Sequence, residues 1–156
     1  MTTYTLRPAT LADVPTLVHH RHAMFAEMGL SGDYETMDER FDPWLRQAIS
    51  AQLYFGWVVE TERDEIVAGG GVGLLARPPS PLDLNEQWGF VYNVYTEPSH
   101  RRQGLARQLM ETIHTWCRER GLKTVGLNAS DFGRPLYETL GYQPSETLML
   151  LKLENS

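Results

Sequence analysis

A single cysteine, Cys117, stands in the 156-residue chain, so an intrachain disulfide and a cysteine-rich metal site are both excluded. Long apolar runs are missing too: no stretch approaches the roughly 20 consecutive apolar residues of a membrane-spanning helix. The opening residues, Met1-Thr-Thr-Tyr-Thr-Leu-Arg7, contain no apolar signal core, which together with the lone thiol predicts a cytoplasmic protein. Positive charge is in deficit, with 14 Lys and Arg against 20 Asp and Glu and a net charge of −6. Such a surface repels polyanions, so nucleic acid and anionic membranes are not expected as partners, although a local basic site is still open. Repeats, linkers and low-complexity stretches are absent. What remains is an ordinary globular composition, 42% hydrophobic, in a length that suits one domain over residues 1–156.

The hydrophobic pattern predicts a short strand over residues 3–7 and a helix capped by Thr10, with Val14, Leu17, Val18, Met24, Phe25 and Met28 at helical spacing. Gly29 and Gly32 end it. A second, acidic helix is predicted over residues 34–49, with a break or kink at Pro43. Residues 53–60 and 65–75 form a predicted hairpin, and the prolines of residues 77–85 mark a loop. An aromatic-rich strand covers residues 88–96. The strongest helix signal runs over residues 103–120, with Leu105, Leu109, Ile113, Trp116 and Cys117 inward and Gly121 as its stop. A strand over residues 123–128, a short helix carrying Leu136, Tyr137 and Leu140, and a final strand over residues 146–153 complete the order. Strands and helices alternating in this way predict one mixed α/β domain.

Chemistry concentrates where the aromatic strand gives way to the long helix, in Tyr95-Thr-Glu-Pro-Ser-His-Arg-Arg-Gln-Gly-Leu-Ala-Arg107. The first turn of a helix offers unpaired N–H groups and the positive end of its dipole, a natural seat for phosphate. Gly104 and Ala106 allow close approach to the backbone, and Arg101, Arg102 and Arg107 add positive charge. Physics alone leaves two readings open here: a pyrophosphate site, or a capped surface helix with solvated arginines.

Arg101-Arg-Gln-Gly-Leu-Ala106 resembles the Arg/Gln-x-x-Gly-x-Gly/Ala signature of the GCN5-related N-acetyltransferase superfamily. The flanks resemble it as well. Residues 91–98 look like the family's fourth strand and the proline after it, and residues 128–142 look like its fifth strand and following helix, with Leu136, Tyr137, Gly141 and Tyr142 at the signature positions. The resemblance implies an α/β (α+β) domain with a mixed central sheet of six to seven strands, splayed between strands 4 and 5 and flanked by about four helices. It implies acetyl-CoA as acyl donor and no metal. Backbone groups of Val94 and Thr96 would pair with the pantetheine arm. The N–H groups from Arg102 through Gln103, Gly104, Leu105 and Ala106 to Arg107 would cradle the pyrophosphate. Asn128, Arg134 and Tyr137 would line the opposite wall.

The implied reaction is direct transfer of acetyl to a primary amine of a small molecule or peptide. A backbone N–H at Val94 or Tyr95 would stabilise the oxyanion, and Tyr137 matches the position of the acid that protonates the leaving thiolate. Where many relatives carry a glutamate base on the fourth strand, this chain has Tyr92 and Asn93. Glu27, Glu60 and Glu86 are the nearest carboxylate candidates, with a water chain as the alternative. Phe25, Met28, Tyr34, Trp57, Tyr92 and Asn93 are candidates to line the acceptor site. The acidic residues Glu27, Asp33, Glu35, Asp38, Glu39 and Asp42 of the two first helices either steer a cationic amine or form a solvated face. Two other functions stay in play: a non-catalytic acyl-CoA-binding or sensing module, and a transferase using another acyl donor. A homodimer is a further expectation from the resemblance.

Two motifs point elsewhere and are set aside. Gly71-Val-Gly-Leu-Leu-Ala76 fits a dinucleotide fingerprint, but prolines follow it where the fingerprint needs a helix. His19-His20-Arg21-His22 has no second ligand cluster to complete a metal site, and a solvated helix face is expected there.

Overall fold

The computed structural model describes residues 1–154. Five strands form one sheet in the order β1-β2-β3-β4-β5. They are β1 (Tyr4–Pro8), β2 (Tyr54–Thr61), β3 (Ile66–Ala76), β4 (Gln87–Thr96) and β5 (Val125–Leu127). The first four pair antiparallel and β5 joins β4 in parallel. Four helices accompany them: α1 (Val14–Glu27), α2 (Tyr34–Ser50), α3 (Leu105–Glu119) and α4 (Arg134–Thr139).

The alternation of β2 splits the core between the two faces of the sheet. Val58 joins Val14 and Leu17 of α1 and Phe41 and Leu45 of α2 on one side. Trp57 and Val59 face the other side, where α3 lays down Leu105, Leu109, Met110, Ile113 and Cys117. Each fully buried aliphatic side chain of this kind contributes about 1.5–3 kcal/mol of transfer free energy. Tyr54 is also buried against α1 and α2, and a Cβ on Gly71 of the neighbouring strand would collide with its hydroxyl. The glycine run of β3 therefore makes room for a buried aromatic ring rather than for a nucleotide.

Three expectations need correction. The sheet has five strands among the described residues, not six to seven. The missing strand is the predicted one over residues 146–153, which adopts no strand pairing. Leu148, Met149, Leu150, Leu151 and Leu153 are instead 69–90% exposed. The alternation predicts strand type, but a strand also requires a partner edge. Helix α2 passes unbroken through Pro43. Burial of Phe41 and Leu45 on either side of Pro43 offsets the missing N–H. His20, finally, is not solvated but wholly buried, with neither ring nitrogen hydrogen-bonded.

Candidate active site

Strand β5 pairs with β4 only through Gly89, Phe90 and Val91. Beyond Val91 the two strands part, and a cavity of about 650 Å³ opens in the gap. The expected splay is present. Val94, Tyr95 and Thr96 form one wall of the cavity, Met24 and Glu27 of α1 with Met28 just after it another, and Gly133, Leu136 and Tyr137 a third. Arg101, Arg102, Gly104, Leu105, Ala106 and Arg107 close its end.

The β4 wall is shaped by a bulge. Tyr95 lies opposite Gly69 and Tyr92 opposite Gly71, so Asn93 and Val94 together face Gly70. Asn93 takes the extra residue in the left-handed region, φ 62°, a conformation asparagine tolerates better than most residues. Tyr92 and Asn93 then both lie toward α1 and α2, while Val94 reaches Gly70 on the α3 side. Glu97 N–H donates to Val67 C=O of β3 at 2.8 Å. By strand alternation the backbone groups of Thr96 and Val94 point the other way, into the gap. The Thr96 carbonyl accepts from Arg101 Nε at 2.9 Å.

The closing loop has the backbone form of a nest. Arg102 and Gly104 are both left-handed, with φ 64° and 76°, and such alternation turns successive N–H groups toward one concave side. Helix α3 starts directly after Gly104, and its first closed turn is Gln108 N–H to Gly104 C=O at 3.1 Å. The N–H groups before it have no helical acceptor. A Cβ on Gly104 would meet nothing in the protein, so the side open at this turn is free for a ligand. Arg107 Nη2 donates to Thr139 Oγ1 at 3.0 Å, which ties α3 to α4 at the cavity end.

Tyr137 faces the cavity with its ring over Gly133. Burial raises its phenol pKa, so the proton is retained at neutral pH. Glu27 lines the same cavity but grips the Arg101 guanidinium through both oxygens, at 2.6 and 2.7 Å. That hydrogen-bonded pairing holds its carboxyl below the usual range. Glu60 pairs with Arg7 at 3.2 Å, away from the gap.

Other predicted residues fall elsewhere. Gln103, Asn128 and Arg134 are exposed and outside the cavity lining. Trp57 packs against Trp116 on the opposite face of the sheet. Tyr34 packs against His22. Phe25, Tyr92 and Asn93 do converge, around Arg21. Sequence reading overlooked Arg21, although it interrupts the apolar stripe of Val14, Leu17, Val18 and Phe25. The acidic roof is largely committed to local pairs: Asp33 caps Thr36, Asp38 meets His22 at 2.7 Å, and Asp42 meets Arg46 at 2.7 Å.

Comparisons with known proteins agree with this geometry. The family model described as Acetyltransferase (GNAT) family matches residues 18–142. A GCN5-related N-acetyltransferase structure from Ralstonia eutropha JMP134 is 32% identical, with a TM-score of 0.89 over 97% of this chain and 100% of that one. A predicted acetyltransferase with acetyl-CoA from Clostridium acetobutylicum is 25% identical, with a TM-score of 0.91 over 97% of each chain. Human N-acetyltransferase 8 is 29% identical over 90 residues, which is 56% of this chain and 37% of that protein. The match thus spans little more than a third of the curated relative's length.

Proposed function

The chain belongs to the acetyltransferase (GNAT) family, and on that footing we propose that it transfers an acetyl group from acetyl-CoA to a primary amine of a small molecule or peptide. The observation that carries this reading is the continuity of the splayed β4 edge with the left-handed Arg102–Gly104 turn in one cavity. The residues present fit the donor: an anion cradle at one end, a free strand edge along the middle, and a protonated phenol opposite. Acetyl-CoA supplies an activated thioester whose carbonyl gains negative charge when the amine attacks.

The N–H groups from Arg102 to Arg107 hold the pyrophosphate, and Val94 and Thr96 hold the amide arm as an added strand would be held. Val94 N–H, released from β3 pairing by the bulge, stabilises the oxygen where charge develops. A donor of this kind is worth about 3–4 kcal/mol in the transition state. Tyr137 Oη gives its proton to the departing sulfur. Arg101 lowers the proton affinity of Glu27 and makes it a weak base, so water leading out of the gap takes the amine's proton. The product amide is formed directly, with Cys117 uninvolved: its thiol is buried under α3 and pushed up to about 11 by desolvation.

The decisive experiment follows thiol release from acetyl-CoA across an amine panel, with the acetylated product identified by mass. Stoichiometric product with free CoA is the expected result. Tight acetyl-CoA binding with no product on any amine would establish the non-catalytic sensing module instead. Faster turnover with propionyl- or succinyl-CoA would reassign the donor.

A further inference from the structure

A second cavity, of about 330 Å³, lies between α1, α2 and β4, lined by Arg21, Arg40, Phe41, Trp44, Tyr92 and Asn93. It begins one residue before Val94 on the same strand. Its walls are aromatic, but its floor is a cation. The Arg21 guanidinium lies 4.8 Å from the Phe25 ring and 5.0 Å from the Phe41 ring. Its Nη1 donates to Asn93 Oδ1 at 2.6 Å. Asn93 is itself fixed, 5% exposed and donating through Nδ2 to the Tyr54 hydroxyl at 3.4 Å. The bulge, the buried tyrosine and the amide thus aim one guanidinium.

That guanidinium has no acidic partner among the described residues. Three carboxylates of the neighbouring helices are engaged elsewhere, Glu27 with Arg101, Asp38 with His22 and Asp42 with Arg46, and Glu35 and Glu39 of α2 are exposed and form no ion pair with Arg21. A neutral amide uses one of its five N–H donors, and the others are left for something else. A half-buried arginine without a counterion is costly: burial lowers its pKa from the ordinary arginine range, yet a guanidinium keeps its proton in proteins. The planar fork fits a carboxylate through two parallel bonds. Arg40, exposed on α2 at the same cavity, adds a second positive charge.

We infer that the acceptor is an amine that carries a carboxylate, of amino-acid type with an apolar or aromatic side group. The carboxylate docks on Arg21, the side group rests on Phe41, Trp44 and Tyr92, and the amine points past Asn93 toward Val94. The inference rests on the acetyl-transfer reading for its chemistry, while the anion site rests on geometry alone.

The test compares acid and primary-amide pairs of phenylalanine, leucine and methionine as acceptors for the full chain with acetyl-CoA. For at least one pair the acid should exceed the amide in kcat/KM by about 10-fold or more, the usual worth of a bidentate charge-assisted contact. Arg21→Gln should bring that ratio to about one, and Arg21→Lys, which keeps the charge without the fork, should restore only part of it. Amides used as well as acids, or a ratio unmoved in Arg21→Gln, would overturn the inference while leaving acetyl transfer intact. Calorimetry of the same acids in the presence of CoA separates the two claims. Binding that requires Arg21, with no turnover of any amine, upholds the carboxylate site and removes the transferase. Neither binding nor turnover of any acid overturns the site.

Discussion

Arg101 and Glu27 form a two-pronged ion pair, with nitrogen–oxygen distances of 2.6 and 2.7 Å. The same arginine donates from Nε to the Thr96 carbonyl at 2.9 Å. One side chain therefore joins the end of β4, the anion loop and the C-terminal turn of α1. Its charge is largely neutralised by Glu27, so in the proposed donor site Arg102 and Arg107 are the arginines left to complement a pyrophosphate.

Glu27→Gln separates an anchoring role from a proton-accepting one. The hydrogen bond from Arg101 holds the Glu27 pKa below the ordinary carboxylate range. The pair is thus intact above that range and opens only as pH falls through the lowered value. The variant should leave the shape of the pH–rate profile above pH ~5 unchanged. A new dependence there, with turnover reduced about 100-fold, would identify Glu27 as the base.

Gly104→Val probes the cradle. A β-branched residue at φ 76° is strained by roughly 1–2 kcal/mol, and its side chain would project into the open side of the turn, where the proposed donor site seats the phosphate. Acetyl-CoA affinity should fall by at least about 10-fold in a calorimetric titration. Unchanged affinity refutes the anion site at this turn.

Tyr137→Phe keeps the ring on Gly133 and removes the proton. Turnover should drop by about 100-fold or more with little change in the KM for acetyl-CoA. A rise in KM alone would mean that Tyr137 serves binding only.

His20 gives the fold a pH dependence of its own. Desolvation lowers its pKa to about 4, so the folded protein keeps it neutral while the unfolded chain takes up a proton near pH 6.5. Stability is therefore full above that pH and lost as pH falls from about 6.5 toward 4, by up to about 3 kcal/mol. Urea midpoints measured across this range should show the decline, and His20→Leu should flatten it. An equal slope in the variant would exclude His20 as its source.

The exposed run from Leu148 to Leu151 bears on self-association. Apolar side chains of a strand-like segment, exposed by 69–90%, favour pairing with an open sheet edge. Light scattering should find the chain associating as concentration rises, and Leu150→Lys should shift it toward monomer. A monomer at all concentrations would remove this segment as the seat of the expected homodimer.

Much of this architecture is legible in local pattern. The spacing of Leu105, Leu109, Ile113 and Cys117 gives α3, and the Arg101–Ala106 motif marks the cavity end. Local pattern is silent where long-range pairing decides. The Asn93 bulge arises from the offset between Gly69–Tyr95 and Gly71–Tyr92 pairs, which no residue of β4 announces. His20 and Arg21 are polar by type, yet the packing of α1 on the sheet buries one and half-buries the other. The strand expected over residues 146–153 fails for the converse reason: its pattern is right, but among the described residues it pairs with no strand, not even at the outer edge of β5.

The bulge also limits how this protein can vary in length. β4 carries one residue more than β3 between two fixed pairs, so its phase is counted rather than merely packed. Deleting a single residue between Tyr92 and Tyr95 would restore a regular ladder. It would also remove the left-handed residue that leaves two successive side chains on the same face, and the contact of Asn93 with Arg21 would be lost. Loops remote from the cavity can gain or lose residues with little consequence for chemistry, whereas this stretch tolerates substitution far better than insertion or deletion.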